Sequence, residues 1–313
     1  MSGATPLVGE RPLADCGIQV SPITLGTSFL GNPPTPDGAP APAADELASA
    51  LLGGPYAAVD TSNNYAQGRS ETVLGRELRA NGLGRGRSVI TKVDADPETG
   101  ALDRDRVWRS FEESTARLGL SRLPVLHLHD PYTVTADEAL APGGAVQGLR
   151  ELREQGLVAA IGIAAGPLSL MTRYVRSGAF DALLTHNRYT LVDRSAEPLI
   201  AEATERGMGV FNAAPFGGGL LAGRTTRYAY RDSPPDLLAW IERARLTCQA
   251  HGVDLPVAAL HFSLRNPLVH STVVGVNASR RIADLERMRT TSVPEALWTA
   301  LAELGTPPST IDD

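Results

Sequence analysis

Cysteines and long apolar stretches are both scarce in this 313-residue chain. Cys16 and Cys248 are its only two cysteines, and we expect both to be free thiols. No apolar run approaches the roughly 20 residues that a membrane-spanning helix requires. We therefore expect no transmembrane helix.

An excess of positive charge is also lacking. The formal net charge is −6, and the basic residues are scattered, whereas a nucleic-acid-binding surface concentrates them on one face. The first ten residues lack the basic patch and apolar stretch of a secretory signal. These absences predict a cytoplasmic protein that binds a small molecule rather than nucleic acid or a membrane.

The composition, with 42% hydrophobic and 20% charged residues, is typical of soluble globular proteins. Because α/β barrels commonly form one unit of about 250 residues, the length favours a single domain over residues 1–313. Residues 1–10 and 306–313 are predicted to be loose tails.

Short apolar strands alternate with amphipathic helices along most of the chain. The predicted strands cover residues 23–26, 57–60, 88–92, 125–129, 160–164, 181–186, 209–213 and 271–274. The predicted helices cover residues 43–52, 70–79, 104–118, 145–155, 168–176, 196–206, 236–250, 256–264, 279–288 and 295–304. This alternation indicates βαβ units and a parallel sheet.

Three further segments lie outside the alternation. Residues 13–20 form a predicted hairpin, and the proline-rich segment 32–42 is predicted to be a loop over one end of the barrel. Residues 215–233 form a long loop rich in glycine, arginine and tyrosine. Loops of that length in a compact domain are usually functional.

The most informative stretch covers residues 58–71, which has the pattern of a strand end, a polar loop and a helix start. Its motif Asp60-Thr61-Ser62-x-x-Tyr65, followed by Gly68-x-Ser70-Glu71-x-x-Leu74-Gly75, resembles that of the aldo-keto reductases. Thr91-Lys92, Leu128-His129 and Ala214-Pro215-Phe216-Gly217 follow in the order expected for that family. The resemblance covers nearly the whole chain. It implies an α/β fold, a (β/α)8 TIM barrel with an N-terminal β-hairpin and extra helices near the C-terminus.

Four polar residues fall at or just after the ends of successive predicted strands, namely Asp60, Tyr65, Lys92 and His129. A buried lysine needs a counter-charge, which Asp60 can supply. A structural Asp–Lys pair would explain these two residues alone, but the neighbouring tyrosine and histidine suit carbonyl–alcohol chemistry. A free phenol has a pKa of about 10. The Lys92 ammonium is expected to lower the pKa of Tyr65 and make it a general acid or base. The resemblance implies the same catalytic roles, with His129 orienting the carbonyl oxygen.

A metal site is a further possibility, because His127, His129 and Asp130 have a spacing that can bind zinc. We expect no metal, since only His186 adds another His or Cys near a strand end. The family resemblance also implies a metal-free site at His129. His127 is predicted to be an interior histidine with hydrogen-bond partners inside the barrel.

The resemblance implies a nicotinamide cofactor, NAD or NADP, across the barrel mouth. The residues it implies for this cofactor are Thr27, Ser28, Asp60, His186, Asn212, Ala213, Pro215, Phe216, Gly217, Gly219, Leu220, Gly275, Asn277 and Arg281. Substrate contacts are expected from Phe29, Tyr65, His129 and Tyr132. The glycines after the seventh strand would let backbone amides approach the pyrophosphate.

The chain departs from the family pattern at several of these positions. Residues 162–166 replace a Ser-Asn pair that holds the carboxamide in many members, His186 replaces a glutamine, and Ala213 replaces an aromatic residue. After the eighth strand, Gly275 stands where a cation usually binds the adenosine 2′-phosphate, whereas Arg280 and Arg281 remain. We therefore expect NAD to be accepted and discrimination between NAD and NADP to be modest.

The favoured function is an NAD(P)-dependent oxidoreductase that interconverts a carbonyl or sugar lactone with an alcohol or aldose hemiacetal. Within the family, residues 187–191 and 212–216 look most like the bacterial aldose 1-dehydrogenases, which oxidise sugars such as L-fucose. Reduction of a ketone or aldehyde, such as a ketosugar or a secondary-metabolite intermediate, is the second reading. A Schiff-base lyase built on Lys92 and a cofactor-sensing binding subunit are the remaining alternatives.

Overall fold

The computed structural model of the protein describes residues 7–33, 43–308 and 311. Most of the proline-rich segment 32–42, predicted to cover one end of the barrel, and parts of both predicted tails lie outside these residues.

Parallel strands close into a barrel, as predicted. Within the described part of the chain the barrel strands are β1 (Ile23–Gly26), β2 (Ala58–Asp60), β3 (Ser88–Val93), β4 (Leu123–His129), β5 (Val158–Ala165), β6 (Ala182–His186), β7 (Gly209–Ala213) and β8 (Ser271–Gly275). They follow one another in chain order, and β8 pairs with β1 to complete the ring. All of the predicted barrel strands are confirmed, with ends that differ by at most two residues.

Helices surround this barrel. In the described residues they are α1 (Ala44–Gly53), α2 (Arg69–Asn81), α3 (Arg104–Leu118), α4 (Ala136–Leu140), α5 (Ala145–Glu154), α6 (Leu168–Arg176), α7 (Glu197–Glu205), α8 (Pro235–Ala250), α9 (Leu255–Leu264), α10 (Arg280–Thr290) and α11 (Glu295–Glu303). The sequence reading missed α4, which is too short to show a helical period. Its first turn is fixed by a capping box in which Thr135 and Glu138 bond reciprocally.

The predicted N-terminal hairpin is present and closes the barrel floor. Arg11–Pro12 pairs with Gln19–Val20, and Leu13 from the turn packs so closely on β7 that a Cβ on Gly209 would lie 2.5 Å from its Cγ. Segments near both ends of the chain also contact the barrel, because Val8 N–H bonds to Pro55 O at 2.8 Å. Arg188 Nη1 likewise donates to Ile311 O at 2.9 Å.

The long loop after β7 contains a 3-10 helix, Gly217–Ala222, and a small hairpin of Arg227–Tyr228 with Arg231–Asp232. The Tyr228 side chain is fully buried, and its hydroxyl donates to Asn187 O at 2.6 Å. Gly217 makes room for that ring, since a Cβ there would lie 2.5 Å from Tyr228 Cε2. The loop is therefore anchored to the end of β6.

The barrel interior is layered, because residues two apart on a strand face the same side. An apolar floor layer includes Ala58, Ile90, Val125, Ala160 and Phe211. Two residues further along three neighbouring strands lie Asp60, Lys92 and His127, and two further again lie Ser62, Asp94 and His129. Polar groups thus follow the apolar floor towards the carboxyl ends of the strands.

Gly162 on β5 makes room for the interior imidazole of His127. A Cβ on Gly162 would lie 2.1 Å from His127 Nδ1. We expect Gly162→Ala to lower the free energy of unfolding by about 1–3 kcal/mol, the usual range for overpacking a core. Adding His127→Ala should recover most of that loss, and Gly53→Ala, where a Cβ meets nothing within 4 Å, serves as the control. Urea unfolding of the variants would measure both effects, and additive losses in the double variant would contradict this packing.

Both cysteines are free, as expected, and the structure shows that both are buried. Among the helices in the described residues, none is both long and apolar enough to cross a membrane.

Candidate active site

The polar loop after β2 brings Asp60 and Tyr65 to Lys92 on β3. Lys92 Nζ lies 2.7 Å from Asp60 Oδ2, 2.6 Å from Thr61 O and 3.3 Å from the Tyr65 hydroxyl. The backbone reverses through Ala66, Gln67 and Gly68, whose φ angles are 52°, 58° and 80°. This left-handed stretch ends the loop and starts α2.

Lys92 is the only lysine in the chain, and its side chain is 1% exposed. Burial by itself disfavours the ammonium, but the charges and hydrogen bonds of Asp60 and Tyr65 outweigh burial and raise the pKa of Lys92. The lysine is therefore a cation throughout the neutral range. The counter-charge that the sequence predicted for it is confirmed.

The Tyr65 phenol is nearly buried between Lys92 and His129. The ammonium lies 4.6 Å from its ring centroid, and the His129 ring meets it edge-on with centroids 5.8 Å apart. Burial raises the pKa of Tyr65 to about 12, even though Lys92 acts in the opposite direction. The expectation that Lys92 brings this pKa below its usual value is therefore wrong, because desolvation of the phenolate exceeds the attraction of the ammonium. At neutral pH Tyr65 is a proton donor.

His129 is held by Asp94, a residue that the sequence reading missed. Its Nδ1 lies 2.7 Å from Asp94 Oδ1 and 3.2 Å from Ser62 Oγ. The Ser62 hydroxyl donates to Asp94 Oδ2. The period of two along β3 could have identified Asp94, since it follows Lys92 by two residues on the same inward face.

The loop residues behind this cluster are fixed to α3. Arg106 donates from Nε to Asp94 O at 2.9 Å and from Nη2 to Asn63 Oδ1 at 2.9 Å. Asn63 Nδ2 also reaches Glu113 Oε2 at 3.0 Å. The segment between Asp60 and Tyr65 is thus tied to the surrounding helix rather than to solvent.

Asp130 extends the polar cluster towards β6. Its carboxylate lies 3.8 Å from His129 Nε2 and 3.7 Å from His186 Nε2, and it accepts a hydrogen bond from the Tyr132 hydroxyl at 2.9 Å. That hydroxyl also receives the Gly166 N–H at 3.2 Å. The predicted residues Tyr132 and His186 are therefore close to His129, beside the end of β5.

His127 lies one layer below the site. The ring is fully buried and edge-on to Phe211, with centroids 5.8 Å apart. Neither ring nitrogen has a hydrogen-bond partner among the described residues, so the expected partners inside the barrel are absent there. Burial and the nearby charges of Lys92 and His129 lower the pKa of His127 well below its usual value. The described residues contain no group of three or more His, Cys, Asp or Glu that could hold a metal ion.

The loop after β7 is rich in glycine, and arginines lie in this loop and at the start of α10. Gly217, Gly218 and Gly219 all have positive φ, and a Cβ on Gly218 would meet nothing within 4 Å. Arg281 lies 3.2 Å from Asp284. Burial and the charge of Arg224 lower the pKa of Arg281, and a Cβ on Gly219 would lie 3.4 Å from Arg224 Cβ. Open glycine backbone beside Arg224 suits a pyrophosphate.

The other predicted cofactor residues divide into structural and accessible groups. Thr27 Oγ1 bonds to Asp60 O at 3.0 Å, and Asn212 Nδ2 bonds to Tyr189 O at 2.9 Å, so both hold the backbone. Two more of the predicted cofactor residues, Pro215 and Leu220, are buried. The predicted cofactor residues that are partly or fully exposed are Ser28, Ala213, Phe216, Gly275 and Asn277.

Phe29, predicted to contact substrate, is 46% exposed at the end of β1. A Cβ on Gly275 would lie 3.1 Å from the Phe29 ring. The ring therefore lies beside the end of β8 at the barrel mouth.

Comparison with known proteins identifies the family of this chain. The family model described as "Aldo/keto reductase family" matches residues 22–304. The chain is 32% identical to the D-threo-aldose 1-dehydrogenase of a Pseudomonas species, over 78% of this chain and 82% of that protein. It is 29% identical to the pyridoxal 4-dehydrogenase of Microbacterium luteolum, over 95% and 97%.

A solved structure shares the fold. The holo form of an aldo-keto reductase from Bacillus halodurans superposes with a TM-score of 0.75 at 17% identity, covering 95% of this chain and 96% of that one.

Proposed function

Given that the chain belongs to the aldo/keto reductase family and is therefore an NAD(P)-dependent oxidoreductase, we propose that it oxidises an aldose at its hemiacetal carbon to the lactone. The single observation that carries the chemistry is the buried contact of Lys92 with both Asp60 and the Tyr65 hydroxyl. The resemblance to a D-threo-aldose 1-dehydrogenase supports the substrate class.

Each catalytic residue has one role in this proposal. Tyr65 exchanges a proton with the substrate oxygen, and Lys92 stabilises the phenolate form while Asp60 holds the ammonium in place. His129 orients the substrate beside the phenol. A bound oxidised nicotinamide would supply the acceptor for the hydride that leaves the hemiacetal carbon, while the proton on its oxygen passes to Tyr65.

The residues present fit a dinucleotide. The open backbone at Gly218, with Arg224 near Gly219, suits its pyrophosphate, and Arg281 at the start of α10 suits the 2′-phosphate of NADP. Near the nicotinamide end, His186 and Tyr132 border the position where the chain lacks the family's Ser-Asn pair. We propose that these two side chains take over part of that contact.

A substrate panel tests the proposed function. Aldoses, simple ketones and aldehydes would be assayed in both directions with each cofactor, and binding would be followed by nicotinamide fluorescence. Oxidation of an aldose supports the proposal, whereas turnover of ketones alone supports the second candidate, carbonyl reduction. Borohydride trapping of a substrate on the single lysine would instead indicate a Schiff-base lyase. Cofactor binding without turnover of any substrate would indicate a sensor.

We predict that Arg281 contributes selectively to NADP binding. Losing a charge-assisted hydrogen bond is worth about 1.5–3 kcal/mol, so Arg281→Ala should weaken NADPH binding about ten- to a hundredfold and NADH binding much less. Arg287→Ala is the matched control, because Arg287 pairs with the same Asp284 but its side chain is 72% exposed. A preference for NADP above a thousandfold that Arg281→Ala leaves unchanged would show that the 2′-phosphate is held elsewhere.

A further inference from the structure

Asn63 lies two residues before Tyr65, at a position that the family motif leaves open. Its side-chain amide is buried between groups of opposite chemistry. Oδ1 accepts from Arg106 Nη2 at 2.9 Å, whereas Nδ2 donates to Glu113 Oε2 at 3.0 Å and to Ser110 O at 3.3 Å. Because a guanidinium only donates and a carboxylate only accepts, these neighbours fix which way the amide points.

The backbone of Asn63 is held as well. Its N–H donates to Lys92 O at 3.2 Å, and its carbonyl accepts from Arg117 Nη1 at 2.8 Å. The Arg117 guanidinium also packs against the far end of the loop, since a Cβ on Gly68 would lie 2.5 Å from Arg117 Cζ. The segment 63–68 is therefore attached to α3 at both of its ends.

The backbone of Tyr65 bonds to residues just before and just after it in the chain. Its N–H donates to Ser62 O at 3.2 Å. Its carbonyl accepts from Gly68 N–H at 3.1 Å and from Ser70 N–H at 3.3 Å. The position of the phenol relative to Lys92 therefore depends on the contacts that hold the two ends of this segment.

We propose that Asn63 is a positioning residue for the proton transfer. Its side chain attaches the loop between β2 and α2 to the helix layer, so that the Tyr65 hydroxyl stays in contact with Lys92 and faces the substrate oxygen. The inference rests on the proposed function, in which Tyr65 exchanges a proton with that oxygen. A misplacement of about 1 Å can cost about a hundredfold in rate, so the loop requires a rigid attachment.

The charges around Asn63 are balanced while its side chain is neutral. Arg106 Nη1 lies 3.0 Å from Glu113 Oε1, and Arg117 Nη1 lies 3.1 Å from the buried Glu71 carboxylate. Burial acts to raise the pKa of Glu113, but the hydrogen bonds of Arg106 and Asn63 keep it below its usual value. A carboxylate in place of the Asn63 amide would therefore add an uncompensated charge beside Glu113.

Reversing the direction of one hydrogen bond tests the role of this side chain. Asn63→Asp adds a charge and loses the Nδ2 contacts, so we expect kcat for aldose oxidation to fall about ten- to a hundredfold, the value of one charge-assisted hydrogen bond. The double variant Asn63→Asp with Glu113→Gln restores the charge balance and lets the new amide donate to the new carboxylate. Its kcat should return close to the wild-type value.

Two further variants serve as controls. Asn81 Nδ2 also donates to a glutamate, Glu77 Oε1 at 2.8 Å, but this hydrogen bond is exposed at the end of α2. Asn81→Asp should therefore leave kcat unchanged. Asn63→Ala removes the same contacts without adding a charge, and it is expected to lower kcat in the same range even if Asn63→Asp does not fold.

Cofactor binding separates positioning from a loss of folded protein. The residues that suit the cofactor phosphates lie in the loop after β7 and at the start of α10, so NADH affinity should stay at the wild-type value in every variant. Dividing each rate by the number of NADH sites then cancels any unfolded fraction. A kcat per site that is unchanged in Asn63→Asp and Asn63→Ala overturns the proposal.

Hydrogen exchange of residues 62–68 tests the loop without any substrate. We expect faster exchange in this segment for Asn63→Asp and Asn63→Ala, and wild-type exchange in the double variant. Unchanged exchange in both single variants overturns the proposal, as does a double variant that regains the protection of this segment but not its turnover. If the wild type oxidises no aldose, the proposed function fails, and the exchange rates decide whether Asn63 holds the loop.

Discussion

Replacing Tyr65 with phenylalanine is expected to lower turnover by about 10²- to 10⁴-fold, the usual contribution of general acid–base catalysis. The substitution removes the hydroxyl that lies 3.3 Å from Lys92 Nζ and leaves the ring in its edge-on contact with His129. Cofactor binding, followed by nicotinamide fluorescence, should remain unchanged.

The matched control for this experiment is Tyr230→Phe. Tyr230 is 76% exposed in the loop after β7, so loss of its hydroxyl should leave turnover at the wild-type value. Full activity of Tyr65→Phe would show that another group transfers the proton, and the assignment of the whole cluster would be wrong.

The pH dependence of the wild type follows from the same phenol. Because the pKa of Tyr65 is raised to about 12, its acid form is present throughout the neutral range, and that form is the one needed for carbonyl reduction. Oxidation needs the phenolate, which becomes more populated as the pH rises. We therefore expect kcat/KM for oxidation to increase from neutral pH into the alkaline range, whereas reduction loses its proton donor only at much higher pH.

The barrel could be predicted from local sequence because each strand and helix has its own pattern. The 104–118 and 168–176 helices were placed at the residues the structure gives, since their apolar positions repeat at the helical period. Helix α4 was missed because five residues give no period, and its stability comes from the Thr135–Glu138 capping box.

The site could be predicted most directly where a residue type has an unusual requirement. A single lysine in an apolar strand is stable only beside a counter-charge, and this requirement predicts the Asp60–Lys92 pair. Asp94 has no such requirement that the sequence reveals, since an aspartate after a strand is common in loops. Its role depends on the register that sets β3 beside β4 and brings it to His129.

The direction in which the Tyr65 pKa shifts could not be obtained from the sequence for a related reason. The sequence supplies the attracting charge of Lys92, but the opposing desolvation depends on how completely the loop, β3 and His129 cover the phenol. Likewise, Gly162 and Ala160 are both small residues on the same strand. Only the structure shows that the His127 ring packs against Gly162 and leaves no room for a Cβ there.

Replacing Lys92 with methionine is expected to abolish measurable turnover and to lower the free energy of unfolding by about 3–5 kcal/mol, the range for breaking a buried ion pair. The Asp60 carboxylate, which is 5% exposed at its side chain, would remain in the barrel without a cation. This loss of unfolding free energy should be smaller in mild acid, because a protonated Asp60 carboxyl needs no counter-charge. Urea unfolding at neutral and acidic pH measures both effects.

The double variant Asp60→Asn with Lys92→Met separates stability from catalysis. Removing both charges leaves no uncompensated ion, so unfolding stability should return close to the wild-type value. Turnover should not return, because the Tyr65 phenolate has lost the ammonium 3.3 Å from its oxygen. If Lys92→Met alone were as stable as the wild type, Asp60 and Lys92 would not form a buried ion pair that excludes water. If turnover were recovered in the double variant, Lys92 would serve only to stabilise the fold.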